Sequence, residues 1–154
     1  AGLSQRLATP MPGLSVILNA RVFDSEAGTL GEALSDVYVL RGRIAAVLPA
    51  GSDRRGAARS FDAGGRVLLP GLFDMHGHVG RWEGGLNLAA GVTTVRDMGN
   101  DNATVQRIID ETARGELFGP QVVPAGFIEG ESPYASRSGF IVDTLEEAKS
   151  AVDW

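Results

Sequence analysis

From residue 14 to about residue 69, short runs of branched apolar residues alternate with turn-forming ones. Residues 14–19 and 20–23 read as strands, and so do 35–40 and 44–48. Between the last two, Arg41-Gly42-Arg43 predicts a tight turn. Phe61 and Ala63 lead into the Gly64-Gly65 pair, after which 66–69 resume the apolar run. Several short strands joined by Gly-containing turns predict half of a β-sandwich or a small sheet.

Past Pro70-Gly71 the rhythm changes. Residues 72–76 read as a strand, 83–90 as a short helix ended by Gly91, and 92–96 as a β-branched, buried strand. Asn100 or Asp101 is placed to cap a helix that runs to Arg114. Its apolar positions Val105, Ile108, Ile109 and Thr112 share one face, and Gly115 is a good C-terminal stop. Residues 121–125 give a third strand, and a long loop is expected over 126–143. Thr144 and Glu147 form a capping box for a last helix, predicted to be still running at Trp154.

Strand alternating with helix argues for an α/β fold with a parallel sheet and crossover helices. Three such units open either a doubly wound sheet or a TIM barrel. A barrel needs about 250 residues, so a chain of 154 is expected to be cut short. The predicted organisation is an N-terminal tail over 1–13, a β-sandwich part over 14–69, and an incomplete barrel part over 70–154. The absence of a G-x-G-x-x-G after the first parallel strand, and of any Walker pattern, argues against a nucleotide-binding sheet.

Composition narrows the function classes. Apolar residues at 44% and charged residues at 21% suit a globular chain with a core rather than a disordered one. Net charge is −5, and basic residues are scattered apart from Arg54-Arg55, which leaves no electrostatic footprint for nucleic acid. No apolar run reaches the roughly 20 residues that span a bilayer, so no membrane role is expected. With no Cys, disulfides and thiolate metal sites are excluded, and any metal must be held by His or oxygen ligands. Residues 1–13 show no signal-peptide pattern and start with Ala1 rather than Met, so the compartment stays open between cytoplasmic and secreted or periplasmic after processing.

The chain has only two histidines, and they are two residues apart. Side chains alternate along a strand, so His76 and His78 are expected on one face, with Asp74 on that face too. Two imidazoles so spaced at a strand end can grip one metal ion at about 2.0–2.1 Å per bond. Gly77 between them removes bulk on the other face, and Gly80 lets the chain turn away. The competing reading is surface polarity at a strand end.

Context favours the ligand reading. Residues 67–78 read Val-Leu-Leu-Pro-Gly-Leu-Phe-Asp-Met-His-Gly-His, and 90–99 read Ala-Gly-Val-Thr-Thr-Val-Arg-Asp-Met-Gly. Both segments resemble the amidohydrolase superfamily, especially imidazolonepropionase-like and Xaa-Pro dipeptidase-like members. Asp36-Val37, followed by Arg43-Ile44-Ala45-Ala46-Val47, resembles the small β-sandwich that precedes the barrel in that family. The resemblance implies the first three βα units of a TIM-like (β/α)8 barrel preceded by half of that sandwich. It also implies a divalent metal, usually zinc, held first by His76 and His78. The remaining ligands and the catalytic base are expected beyond Trp154, and Lys149 matches no family ligand position.

What the resemblance implies is metal-dependent hydrolysis of an amide-type C–N bond in a peptide-like or cyclic substrate. Activity is expected only with the remaining part of the barrel, and homo-oligomerisation stays open. The alternative is a non-catalytic fragment or split half that keeps the fold without a complete metal centre. Asp74 and Asp97 are candidates for orienting groups behind the ligands. For Asp97, a helix cap or an ion pair with Arg96 explains the residue almost as well. Arg137 is a candidate for holding a substrate carboxylate, against a solvated loop charge. Trp82 is placed to wall a pocket or to fill a core.

Overall fold

The computed structural model describes residues 11–52 and 57–153. The chain divides into two compact units, Ala1–Pro70 and Gly71–Trp154. Residues 1–10 of the expected tail, Arg54-Arg55 and Trp154 lie outside the described residues.

The first unit is built on one long strand. β1 (Met11–Asp24) starts inside the expected tail and joins the two predicted strands 14–19 and 20–23 into one. Asn19 explains why the pattern reads as two. It takes a left-handed φ of 53°, and the pairing register slips between Ile17 and Ala20. The kink is braced by Asp36, whose Oδ1 accepts the Asn19 N–H at 3.0 Å, and by Asp62, whose Oδ1 accepts Asn19 Nδ2 at 2.9 Å.

β1 pairs antiparallel with β2 (Thr29–Leu30) and with β3 (Ser35–Leu40), which pairs in turn with β4 (Arg43–Pro49). It pairs parallel with β5 (Ala57–Asp62) and β6 (Val67–Leu68), completing a six-stranded sheet. Arg41 and Gly42 both have positive φ, at 52° and 74°, the two-residue turn whose twist matches a hairpin. Leu14, Val16, Leu18 and Tyr38 form the buried cluster, with Leu40, Ala46 and Leu48 packed on it. Burying each large apolar side chain contributes about 1.5–3 kcal/mol.

The second unit is a three-stranded parallel sheet with helices between its strands. β7 (Leu72–Gly77), β8 (Val92–Asp97) and β9 (Gln121–Pro124) lie side by side in chain order. α1 (Glu83–Ala89) connects the first pair and α2 (Asn102–Ala113) the second. On one face, Val95 and Val122 pack against Val105 and Ile108 of α2, the residues its helical spacing puts on one stripe. Asp101 caps α2 by accepting the Thr104 N–H at 2.7 Å, and Gly115, at φ 72°, follows its end. On the other face Phe73 is 66% exposed and Val123 47%.

Two expectations need correction here. The segment 126–143 is not a plain loop: β10 (Ile128–Gly130) and β11 (Phe140–Val142) pair in parallel within it. Three residues are too few to display a period, so the pattern hid them. The last helix, α3 (Leu145–Val152), starts at the predicted Thr144–Glu147 capping box but stops short of Trp154, with Asp153 as its C-terminal cap. No helix among the described residues is long and apolar enough to cross a membrane.

Candidate metal site at the end of the first parallel strand

His76 lies in the last turn of the pleat of β7, and His78 follows its final residue, Gly77. The two rings stand edge to face, with centroids 5.7 Å apart and planes at 75°. Both side chains are exposed at the end of the strand. At bonds of about 2.0–2.1 Å, an ion sits about 3 Å from each ring centre, so the separation is compatible with one shared ion.

Strand alternation alone does not deliver this pairing. The register of β7 on β8 slips between Asp74 and Gly77, so one residue is absorbed there. A Cβ on Gly77 would lie 2.6 Å from Val95 Cγ1 and 3.1 Å from Asp74 Oδ2. Gly77 and the Asp74 carboxylate thus share the helix-packed side, and only glycine fits between β7 and Val95. The slip separates Asp74 from the face it was expected to share with the histidines. Its Oδ1 instead accepts the backbone N–H of His76 at 3.0 Å, bracing the slip rather than an imidazole.

His78 Nδ1 lies 2.6 Å from the carbonyl oxygen of Gly99, in the turn after β8. A carbonyl only accepts, so Nδ1 carries a proton, and in the neutral ring Nε2 keeps its lone pair. Asp97 sits directly beneath this contact and is 2% exposed. Its Oδ2 accepts the Val79 N–H at 2.8 Å and Asn100 Nδ2 at 3.0 Å, and its Oδ1 accepts the Gly99 N–H at 3.1 Å. The expected helix cap is Asp101, and the hydrogen bonds of Asp97 run to Val79, Gly99 and Asn100. Arg96, next along the strand, is exposed.

Gly99 and Asn100 complete this site, and neither stands out in the sequence as part of it. Asn100 Nδ2 also donates to the Val79 carbonyl at 3.0 Å, tying the two turns together. The signal was present as the Asp-Met-Gly-Asn turn at the end of a strand, but Asn100 reads there as a helix cap. Arg137 is paired with Glu131 at 3.0 Å on the surface. Trp82 is 72% exposed and precedes α1 without a side-chain cap bond. Among the described residues, no group of three or more His, Asp or Glu side chains is gathered to share an ion.

No protein-family model matches the chain. A dihydroorotase from Solibacter usitatus is 36% identical over 128 residues, covering 73% of this chain and 29% of that protein. An allantoinase from Streptomyces avermitilis is 41% identical over 93 residues, covering 54% of this chain and 20% of that protein. A solved Xaa-Pro dipeptidase with bound methionine superposes with a TM-score of 0.77 at 18% identity, covering 91% of this chain and 43% of that one. These relatives share one class, the hydrolases of amide C–N bonds. The chain belongs to the amidohydrolase superfamily. It spans less than half the length of each of these three relatives.

Proposed function

We propose that this chain carries the first two metal ligands of a hydrolase acting on an amide-type C–N bond in a peptide-like or cyclic substrate. The observation that carries the reading is the His78–Gly99 hydrogen bond, which sets the neutral ring in the Nδ1–H form and turns Nε2 into a lone-pair donor beside a second imidazole at a strand end. Superfamily relatives generally depend on a divalent metal. With no thiolate available, nitrogen and oxygen donors suit zinc, and equally iron, nickel or cobalt; zinc is our choice.

Each of this chain's residues has a definite task in that reading. His76 and His78 bind the ion, the Gly99 carbonyl holds the proton on Nδ1 of His78, and Asp97 holds the turn that presents the carbonyl. When bound, a divalent ion supplies Lewis-acid chemistry, polarising an amide carbonyl and acidifying water. Two imidazoles fill half of an ion's usual four positions. The remaining ligands and the proton-transfer group therefore come from residues other than these, which we place on later strands of a (β/α)8 barrel opened by β7, β8 and β9. The boundary falls near residues 69 and 70, after the β-sandwich part. The exposed Phe73 and Val123 face is the surface those later strands would cover.

The test is hydrolysis of a panel of dipeptides and cyclic amides with Zn²⁺ by this chain alone and by a chain extended with the downstream barrel of a relative. Activity confined to the extended chain, and lost in His76→Ala, is expected. Equal activity in the His76→Ala variant would overturn the reading.

A further inference from the structure

We propose that Asp97 is a positioning residue for His78, setting the tautomer and direction of its ring through Gly99. The inference rests on the His76–His78 metal reading only for its purpose, since the positioning itself is a property of the metal-free chain.

The carboxylate grips the chain on both sides of the contact it controls. One oxygen takes the N–H of Val79, the residue directly after His78. The other takes the N–H of Gly99, whose carbonyl receives the ring. Asn100 closes the loop by donating to both Asp97 and the Val79 carbonyl. A backbone bond from the Met98 N–H to the Gly77 carbonyl, at 3.0 Å, adds a further tie between the two turns. Gly99 itself takes φ 144°, a conformation closed to other residues, and a Cβ there would lie 2.8 Å from the Phe127 ring. The acceptor for His78 is thus fixed by a buried carboxylate from one side and an aromatic ring from another.

A carboxylate is required because three donors converge on two oxygens. An amide in its place turns one acceptor into a donor and leaves at least one N–H opposed. The least costly choice keeps the oxygen on Val79 and Asn100, so the Gly99 N–H is the one released. The Gly99 carbonyl then loses its fixed direction and the His78 ring its fixed tautomer. His76 serves as an internal reference, because its ring has no such carbonyl partner among the described residues.

The experiment uses the full chain, labelled with ¹⁵N and free of metal, at about pH 8, where an ordinary histidine is neutral. Long-range ¹H–¹⁵N correlation reads which nitrogen of each ring carries the proton, and the two histidines make assignment direct. His78 is expected as the Nδ1–H form in the parent chain and as a tautomer mixture in Asp97→Asn. The core variant Ile108→Val, which leaves the clasp untouched, is expected to keep the parent pattern. Affinity for Zn²⁺ alone is expected to fall about 10–100-fold in Asp97→Asn, the range for loss of a group behind a ligand. A folded Asp97→Asn chain that keeps His78 in the Nδ1–H form overturns the proposal. If that variant does not fold, Asp97→Ala, which removes both acceptors without adding a donor, is read in the same way, and an unchanged His78 tautomer there overturns it equally. A parent chain that shows the tautomer and its loss but binds no Zn²⁺ upholds the positioning role and removes the metal reading instead.

Discussion

The His78 ring nitrogen and the Gly99 carbonyl meet at 2.6 Å, joining the residue after the first parallel strand to the turn after the second. The contact depends on Gly99 having no side chain, since its φ of 144° and the Phe127 ring 2.8 Å from an added Cβ leave no room. Gly99→Ala is therefore expected to cost about 1–3 kcal/mol, the range for strain at such a backbone position. Urea unfolding checks the magnitude, and an unchanged midpoint would contradict the account.

Gly77→Ala tests the other glycine on which the histidine pair relies. The added Cβ would lie 2.6 Å from Val95 Cγ1 of β8. Overpacking of this kind costs about 1–3 kcal/mol. The two ring signals of His76 and His78 should shift together in the NMR spectrum. A stable variant with both rings unmoved would show that the close approach is not needed.

Acidification should loosen the start of α3 before the rest of the second unit. The N–H groups of Asp143 and Thr144 donate to Glu147 and, with the Thr144 hydroxyl, hold its carboxyl below the ordinary glutamate range. A folded-state value below the unfolded one means the cap's contribution is present above about pH 4.3, the ordinary value. It is lost as pH falls from there through the folded value. Amide exchange at residues 147 and 148, corrected for intrinsic rates, should accelerate over that window, and Glu147→Gln, which removes the titrating group, should abolish the pH dependence. Exchange in the parent chain that ignores pH there would refute the assignment.

The exposed face of the parallel sheet carries Phe73 and Val123 in the row opposite the helices. Uncovered apolar sheet surface favours association. Sedimentation of the 154-residue chain should show concentration-dependent self-association, reduced in a Phe73→Gln, Val123→Thr double variant. Identical sedimentation of the two proteins would mean that this face is not the sticky one.

Much of the fold is legible in the sequence because the deciding signals are local. The period of Val105 and Ile108, the Arg41-Gly42 turn and the Thr144–Glu147 box each act within one turn or hairpin. The two histidines are legible for the same reason. Of what surrounds them, Asp97 is legible as a candidate from its place at a strand end, but its meeting with Asn100 and Val79 is not, since these residues come together across two turns separated by a helix. Asp74 is the instructive miss. Strict alternation puts it beside the imidazoles, and a one-residue register slip before Gly77, invisible in a single strand's pattern, takes it to the other side.

Binding of Co²⁺ or Zn²⁺ to the purified chain, measured by equilibrium dialysis with metal analysis, tests the central claim most directly. One ion per chain is predicted, held weakly because two imidazoles leave half of its usual four positions to other ligands. His76→Ala and His78→Ala should each weaken binding at least about tenfold, the lower bound set by loss of a mere supporting group. Stoichiometric binding that survives the His76→Ala, His78→Ala double variant would show that the ion is held elsewhere and that the site is not a metal centre.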